Sequence, residues 1–485
     1  MALTAEQFAA WLKSNDAAFC LLADMGVKTD SGEETRYVSS LPFEDSGTVY
    51  LPVLDPSSVN YDVNFTNGRF LTIGNISLFN LDGYLDGWLD DIWTNRAIDI
   101  FFGDSRWPKA DFIQLLAGTI RDIDSQDNET IDLVFKDKLE RLNMALSDAK
   151  LGGATNNKDR LIPWLFGEGH NIAPLFSDPT TLEHTINNGV IERIIEVRDN
   201  GQPVSTTDDL ANGRFELNQQ SFGKVTVDAQ GDKNGGVYRK TIADIIERIV
   251  TGFGLAANRF SAGDIDSANF SAFNTANQQP IGFYAESKEN ILNLINDIAD
   301  SVGAKPIITP LGKLQLFQLT LPPPSIARTI TTKDIEDDTL HIVSRTEVRG
   351  AVQIGYAINW QVQKNLETVI PEKHKETFER EYYTVVAENA TTKADYRLDA
   401  EPTQRDTYLL KEADALAEAN RELVFVEVPR VTYGFTGLST LFDLEFGQGV
   451  ILEHPRFGLD SGKEGVVVRI APDFDSMTTE VEVII

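Results

Sequence analysis

The sequence predicts a β-rich α+β multidomain protein, with two barrel-like blocks bracketing a mixed α/β middle region. Three observations predict it. Short apolar runs separated by Gly, Pro, Asn and Asp dominate residues 36–135 and return after residue 424, the spacing of strands and turns. Between them lie two apolar stripes of helical period, in residues 241–250 and 287–302. A Gly/Asn-rich polar stretch at 151–159 and the prolines at 322–324 interrupt the chain, since proline cannot join a central sheet ladder. At about 150 residues per domain, the 485 residues divide into a β-rich 1–155 with a helical insertion, an α/β 156–320 and a barrel-like 325–485.

Each element has its own warrant. Residues 5–13 place Phe8, Trp11 and Leu12 on one helical face. Residues 36–79 alternate strand and turn, with Asp55-Pro56 and Asn67-Gly68 as turn signals. Leu85, Trp88, Leu89 and Ile92 have helical spacing, which predicts a compact helix over 85–95. Strands follow at 97–102, 112–123 and 130–135, and a helix at 136–149. The middle block opens its first clear helix at Thr241, with Ile242, Ile245, Ile246, Ile249 and Val250 on one face and Gly252 at its end. Ser287 caps the second, in which Ile291, Leu294, Ile295, Ile298 and Val302 face one way before Gly303. Strands at 306–309 and 313–319 turn through Pro310-Leu311-Gly312. After the prolines, 340–348 and 352–360 read as a strand pair, 407–423 as a helix, and 424 onward as strands. Val450–Leu452 and Val466–Ile470 flank a Gly/Pro/Asp-rich loop, and Glu480–Ile485 supplies a third run whose end closes a small barrel. No internal repeat or low-complexity tract interrupts this order.

The chemistry is sparse. A net charge of −31 with a pI near 4.5 argues against gripping a phosphate backbone, which takes clustered Lys and Arg. Such a surface fits either a self-repelling soluble protein or a wall past which nucleic acid slides. Cys20 is the only cysteine, in an apolar run, so it reads as a buried thiol and leaves no cysteine-based metal site within one chain. The N-terminus lacks the basic and apolar regions of a signal peptide, and no run reaches the roughly 18 apolar residues of a membrane span, which predicts assembly in a cytoplasm and no stable membrane insertion. His170, His184, His341, His374 and His454 are scattered, none at metalloenzyme-helix spacing. Gly458–Lys463 is one residue short of a phosphate loop, and Glu464 stands where Ser or Thr belongs.

Carboxylates form suggestive groups. Asp82, Asp86, Asp90 and Asp91 alternate with Tyr84, Trp88 and Trp93, the aromatic-and-acid mixture of a carbohydrate-cleaving site. The helical spacing there reads instead as aromatic core with a solvated acidic face. Asp122–Glu129 lacks the Gly and the spaced Glu of a calcium loop, leaving at most a weak surface cation site. Asp264, Asp266, Asp473 and Asp475 read as turn residues. No catalytic, cofactor-binding or metal-ligating residues are assigned, and the chain is expected not to be an enzyme.

A resemblance accumulates along the chain. Pro163-Trp-Leu-Phe-Gly-Glu-Gly-His-Asn-Ile-Ala-Pro174 resembles the passage that opens the second domain of bacteriophage tail hub, or baseplate hub, proteins of the siphophage and gene-transfer-agent type, relatives of contractile-tail hubs. Phe222–Gly231 followed by the Ile-rich helix, Phe270–Asn274 followed by Pro280–Tyr284 and the second helix, the Gly355-Tyr356-x-x-Asn359 strand, Glu412–Leu423 and the His454–Leu459 loop are similar to successive hub segments. The order holds from about residue 160 to 485, whereas 1–150 agrees in general character only.

The resemblance implies a trimeric ring at the distal end of a tail, with two barrel-like domains per subunit making a pseudo-six-fold collar. Such a ring joins the six-fold tail tube or distal tail protein to three-fold central fibre or tip proteins. It encloses the C-terminus of the tape measure protein and then the outgoing DNA, which passes without specific binding. It is a virion structural protein with no cofactor. Because the sequence stops after its barrel, no fused hydrolase is expected. Two other readings stay open: a distal tail adaptor or host-binding module, and a cell-wall polysaccharide hydrolase using Asp86 and Asp90.

Overall fold

The computed structural model describes residues 5–14, 16–65, 71–125, 128–136, 138–364, 366 and 370–485. It is β-rich with helices concentrated in the middle of the chain. The polypeptide forms two compact units, each discontinuous: Met1–Glu140 with Ile307–Thr346 and Pro429–Ile485, and Arg141–Pro306 with Glu347–Val428. The three blocks 1–155, 156–320 and 325–485 follow chain order, whereas the units recruit segments out of order.

The first unit contains two curled sheets. One orders its strands Gly32–Ser39, Phe19–Thr29, Ala97–Asp104, Ile113–Asp124, Thr130–Lys136 and Ile76–Phe79, all antiparallel. Residues 51–55 close it. Leu51 and Leu54 N–H groups donate to Tyr37 and Ser39 carbonyls at one edge (3.0 and 3.0 Å), and Asp55 N–H to the Ser77 carbonyl at the other (3.0 Å). A closed sheet has no edge to pair with a stray chain. Register shifts at Ile100/Phe101 and Val134/Phe135 bend the strands inward, and Gly118 leaves room for the Phe135 ring. Leu21, Ala23, Met25 and Val27 alternate into the core with Ile98, Ile100, Leu116 and Ile131, while Cys20 and Leu22 point to the opposite face under Phe43, Tyr50 and Phe112.

The second sheet orders Arg328–Ile330, Gly449–His454, Leu459–Asp473, Thr478–Ile484, Val431–Leu438 and His341–Arg345. Residues 328–345 run from one edge to the other, parallel to 450–452 at the start and antiparallel to 431–434 at the end. The two sheets are joined within the unit. Tyr61–Asn64 of the N-terminal part pairs with Arg469 and Ile470, and Phe474 packs in the N-terminal core against Phe102 (ring centroids 5.2 Å).

In the other unit, Gln202–Pro203, Ile191–Asp199, Val225–Asp232, Trp164–Ile172 and Gly282–Ala285 make one sheet, and Leu175–Asp178, Glu183–Thr185, Arg214–Leu217 and Thr206–Asp209 another. Both contribute to one core, with Leu165, Ile191, Phe215 and Val227 fully or almost fully buried. Gly167 has φ +66° and lies so close to the Ile281 carbonyl that any Cβ would overlap it, which explains the Phe-Gly-Glu sequence locally. Helices Ile242–Gly252, Ser267–Ala276 and Ile291–Asp300 pack together, the first and third burying the expected stripes. Helix Glu412–Val426 lies on the sheet of Tyr383–Glu388, Ala351–Tyr356 and Gln404–Asp406.

Several expectations are corrected. Residues 85–95 hold only a 3-10 turn, Asp86–Asp90, with Leu85 buried but Leu89 and Ile92 exposed. Among the described residues of 136–149 the one helical piece is the 3-10 turn Lys138–Leu142. Asn290, not Ser287, caps the third helix of the trio, accepting the Asn293 N–H at 3.2 Å, while Ser287 donates to Glu289. Strands 341–345 and 351–356 do not pair with each other; they join Val431–Leu438 and Tyr383–Glu388 in different units. The helix placed at 407–423 begins at Glu412 and runs to Val426, so the final strands begin at Val431. Part of the loop expected after Leu452 is strand from Leu459. The Asn67-Gly68 turn lies outside the described residues.

Candidate assembly surface and a charged histidine cluster

The segment with the acid-and-aromatic alternation forms a surface rather than a cleft. Leu81 and Tyr84 are 74% and 69% exposed, and Phe79, Leu89 and Ile92 are also exposed. Asp82 accepts the Tyr84 N–H at 3.1 Å, and Asp86 accepts the Asn80 amide at 2.8 Å. Asp91 pairs with Arg36, whose guanidinium lies over the Trp88 ring at 4.3 Å. Trp93 is buried and donates its indole N–H to the Trp88 carbonyl at 2.7 Å. Three of these acids therefore hold a turn or a neighbouring strand, and the turn displays apolar side chains to solvent. Exposed large apolar side chains gathered on one short segment make it a candidate interaction surface.

The remaining sequence candidates separate. His184 is buried between Phe176 and Phe215, stacked on the latter, and donates Nδ1–H to the Leu182 carbonyl at 2.9 Å; burial lowers its pKa. His341 donates to the Thr339 carbonyl, and His454 Nδ1 accepts the Arg456 N–H. Asp264 completes a capping box with Ser261, Asp266 caps helix 267–276, and Asp473 accepts the Asp475 and Ser476 N–H groups. Cys20 is fully buried, with its thiol pKa raised by that burial. Asp122 and Asp124 accept the next residues' N–H groups; residues 126 and 127 of that stretch lie outside the described residues. Among the described residues no group of three or more His, Cys, Asp or Glu is placed to hold a metal ion, and no helix is long and apolar enough to cross a membrane.

Sequence reasoning missed what surrounds His170. Strand alternation puts Glu168 and His170 on the same face, and the neighbouring strand Val225–Asp232 brings Asp228 and Gln230 beside them. His170 Nε2 lies 3.2 Å from Glu168, and Nδ1 lies 3.8 Å from Asp228. Arg198 Nη1 donates to Asp228 at 2.8 Å, its Nε donates to Glu196 at 2.6 Å, and the Asn171 N–H donates to Asp228 at 2.7 Å. Burial alone would lower the His170 pKa, but the two carboxylates outweigh it and push it up to about 9. Burial would raise Asp228, yet Arg198 and His170 hold it well below the usual carboxylate range. The imidazole lies between two cavities, of about 420 and 240 Å³. Tyr238, Lys240 and Lys411 line the first, and Glu196, Arg198, His374, Arg380 and Tyr383 the second. An imidazole held protonated at neutral pH between two carboxylates is a poor general base, so the arrangement suits a polar pin better than proton transfer.

Beside it, two motifs quoted for the resemblance meet. Asn171 Nδ2 donates to Asn359 Oδ1 at 2.8 Å, and Asn359 Nδ2 donates to the Phe378 and Arg380 carbonyls at 2.9 and 2.8 Å. Only their types, not their pairing, were visible in sequence.

No protein-family model matches this chain, and no curated protein does. Among solved structures it is similar to a tail protein from Neisseria meningitidis MC58 (10% identity, 96% of this chain and 97% of that one, TM-score 0.42). It is also similar to a chain of the native gene transfer agent virion (13%, 72% and 91%, TM-score 0.45) and to a prophage tail protein from Listeria monocytogenes EGD-e (10%, 96% and 94%, TM-score 0.40).

Proposed function

We propose that this chain is a structural protein of a phage-type tail, the hub at its distal end. Three copies would form a ring that joins the six-fold tube to three-fold tip or fibre proteins, encloses the end of the tape measure protein, and lets DNA pass. The blocks around 1–155 and 325–485 would supply the two barrel-like collar domains. The virion is its place of action, after assembly in the host cytoplasm.

One observation carries the reading. Within one compact unit, two curled sheets from opposite ends of the chain are fused through a strand pairing and a common aromatic core. Two such sheets per copy are what a three-fold ring needs to present six similar walls. The ordered motifs from 163 to 459 support the same assignment, and the exposed Leu81/Tyr84 turn offers apolar area for a neighbour. The net charge of −31 suits a lumen that DNA does not adhere to.

Class averages of the purified chain across a concentration series test it by electron microscopy. Three-fold rings with a central hole are expected, and the L81D/Y84S double substitution should shift ring formation to higher concentration. Compact monomers throughout, both alone and with added tail tube protein, would overturn the hub assignment.

A further inference from the structure

The cavity of about 420 Å³ beside His170 is cationic in a chain whose net charge is −31. Its charged lining is Glu168, His170, Lys240 and Lys411. Glu168, the one carboxylate there, is already engaged on both oxygens. Its Oε1 lies 3.2 Å from His170 Nε2, and its Oε2 accepts the Gln230 amide at 2.6 Å. Glu412 follows Lys411 in the chain but takes no part in the lining. Lys240 and Lys411 are exposed, and neither has a carboxylate partner among the described residues.

The main chain fixes both lysines against one residue pair. The Ile281 N–H donates to the Lys240 carbonyl at 2.9 Å, Ile281 also bridges to Leu409, and the Gly282 N–H donates to the Tyr408 carbonyl at 3.2 Å. Residues 240 and 408–411 therefore approach the cavity from a common anchor at 281–282. Tyr238, two residues before Lys240, is half-buried in the same lining and makes no hydrogen bond among the described residues. Burial pushes its pKa up, so it remains an O–H donor.

These groups define a ligand by charge and donor number. Two ammonium groups and a phenol supply two positive charges and three separate donors. A carboxylate brings one charge and two oxygens, whereas a phosphate monoester brings a charge of about −1.5 to −2 and three terminal oxygens. The volume falls within the roughly 300–1,000 Å³ of small-molecule sites, which leaves room for the body that carries the phosphate.

We propose that this cavity binds a phosphate monoester, with Lys240, Lys411 and Tyr238 donating to its oxygens. His170 and Gln230 keep the one carboxylate of the wall engaged, so that it does not compete for the lysines. The proposal does not depend on the ring.

Phosphorus NMR of glucose 6-phosphate and of a phosphoserine peptide, each mixed with the full chain, tests it. Line broadening of at least one probe is expected, and the stronger of the two distinguishes a soluble metabolite from a phosphorylated side chain. K240M/K411M should abolish the broadening, whereas K333M/K463M, which removes the same charge at two exposed lysines elsewhere, should keep it. Y238F should weaken binding by about tenfold, the loss of one hydrogen bond to a charged group. Absence of broadening with both probes, or broadening that survives K240M/K411M, overturns the proposal. So does displacement of the probe by acetate as effective as that by inorganic phosphate.

Discussion

In the unit built from the chain's two ends, segments distant in sequence meet through aromatic rings. Phe102 touches Phe442 and Phe474 (6.1 and 5.2 Å between centroids), and Phe65, Phe317 and Phe446 form a second trio. In the other unit, distant segments meet through rings, where Phe283 packs on Trp360 and Tyr408 (5.5 and 5.2 Å), and also through buried polar groups. Asn171 meets Asn359 there, Arg198 meets Asp228, and Arg405 bridges Glu418 and Glu422 of helix 412–426. Apolar contacts tolerate changes of pH and salt, whereas buried ion pairs depend on every member staying charged and paired. The aromatic joint of the first unit should therefore hold across pH and salt, whereas the second unit adds buried polar contacts that are conditional.

The largest expected effect lies in the aromatic joint. Phe102 is 1% exposed and packs on Phe8, Trp11, Phe19, Phe442 and Phe474, so F102A should cost about 4 kcal/mol. Amide exchange followed by mass spectrometry should show protection falling in both 97–104 and 470–484. Loosening confined to 97–104 would mean that the two sheets do not share a core energetically, breaking the comparison on its first side.

Next comes the charged pin. D228A leaves Arg198 with Glu196 alone and His170 with Glu168 alone, a loss of about 3 kcal/mol for breaking a largely buried pair. Exchange should rise in 164–172, 191–199 and 225–232 and stay unchanged in 97–104. Equal loosening of both units would show that polar pinning is not peculiar to the second.

The sequence made the apolar half of this contrast easier to read than the polar half. Ile242–Val250 and Ile291–Val302 announce their buried faces because burial repeats at the helical period. The strands at 97–102, 112–123 and 130–135 do so because side chains alternate. Leu85, Trp88, Leu89 and Ile92 had the same period but no helix, since Gly83 and Gly87 loosen the backbone and Asn80 draws the chain into a turn by accepting the Leu85 N–H. Strand partners were legible only for neighbours in the chain: residues 341–345 and 351–356 are adjacent, yet each found a more distant partner. His170, Glu168 and Asp228 stand as ordinary polar residues until strands 164–172 and 225–232 are laid side by side. A Glu-x-His pair in a strand was the one available signal.

A smaller, graded effect should come from pH. His170 stays charged in the folded unit up to about pH 9, against an ordinary value of 6.5. Its stabilisation is therefore complete below about pH 6.5 and fades as pH rises through 9. Melting followed from about pH 6 to about pH 10 should lower the transition of the second unit more than that of the first. H170Q should flatten the difference. A wild-type profile as flat as that of H170Q would remove His170 from the pin.

The smallest effect should come from the one prominent ion pair at the joint of the first unit. Arg469 forks onto Asp62 with Nε and Nη2 at 3.0 to 3.2 Å and reaches Glu482 at 3.3 Å. Arg469 and Asp62 both keep some contact with water, so the pair is screened and pays for its own ordering. The backbone holds the same joint independently: Val63 pairs with Ile470, and the Phe65 N–H donates to the Val468 carbonyl at 3.0 Å. The Phe65 ring then packs on Phe317, and Phe317 on Phe446. D62A, which leaves Arg469 with Glu482, should therefore cost under about 1 kcal/mol, with its effect shrinking further in high salt, whereas F446A at the same joint should cost several times more. Chemical unfolding of the two variants side by side measures the ratio. If D62A proved the more damaging, charge would be holding this joint together as well, and the contrast between an aromatic joint and a polar, conditional one would fall.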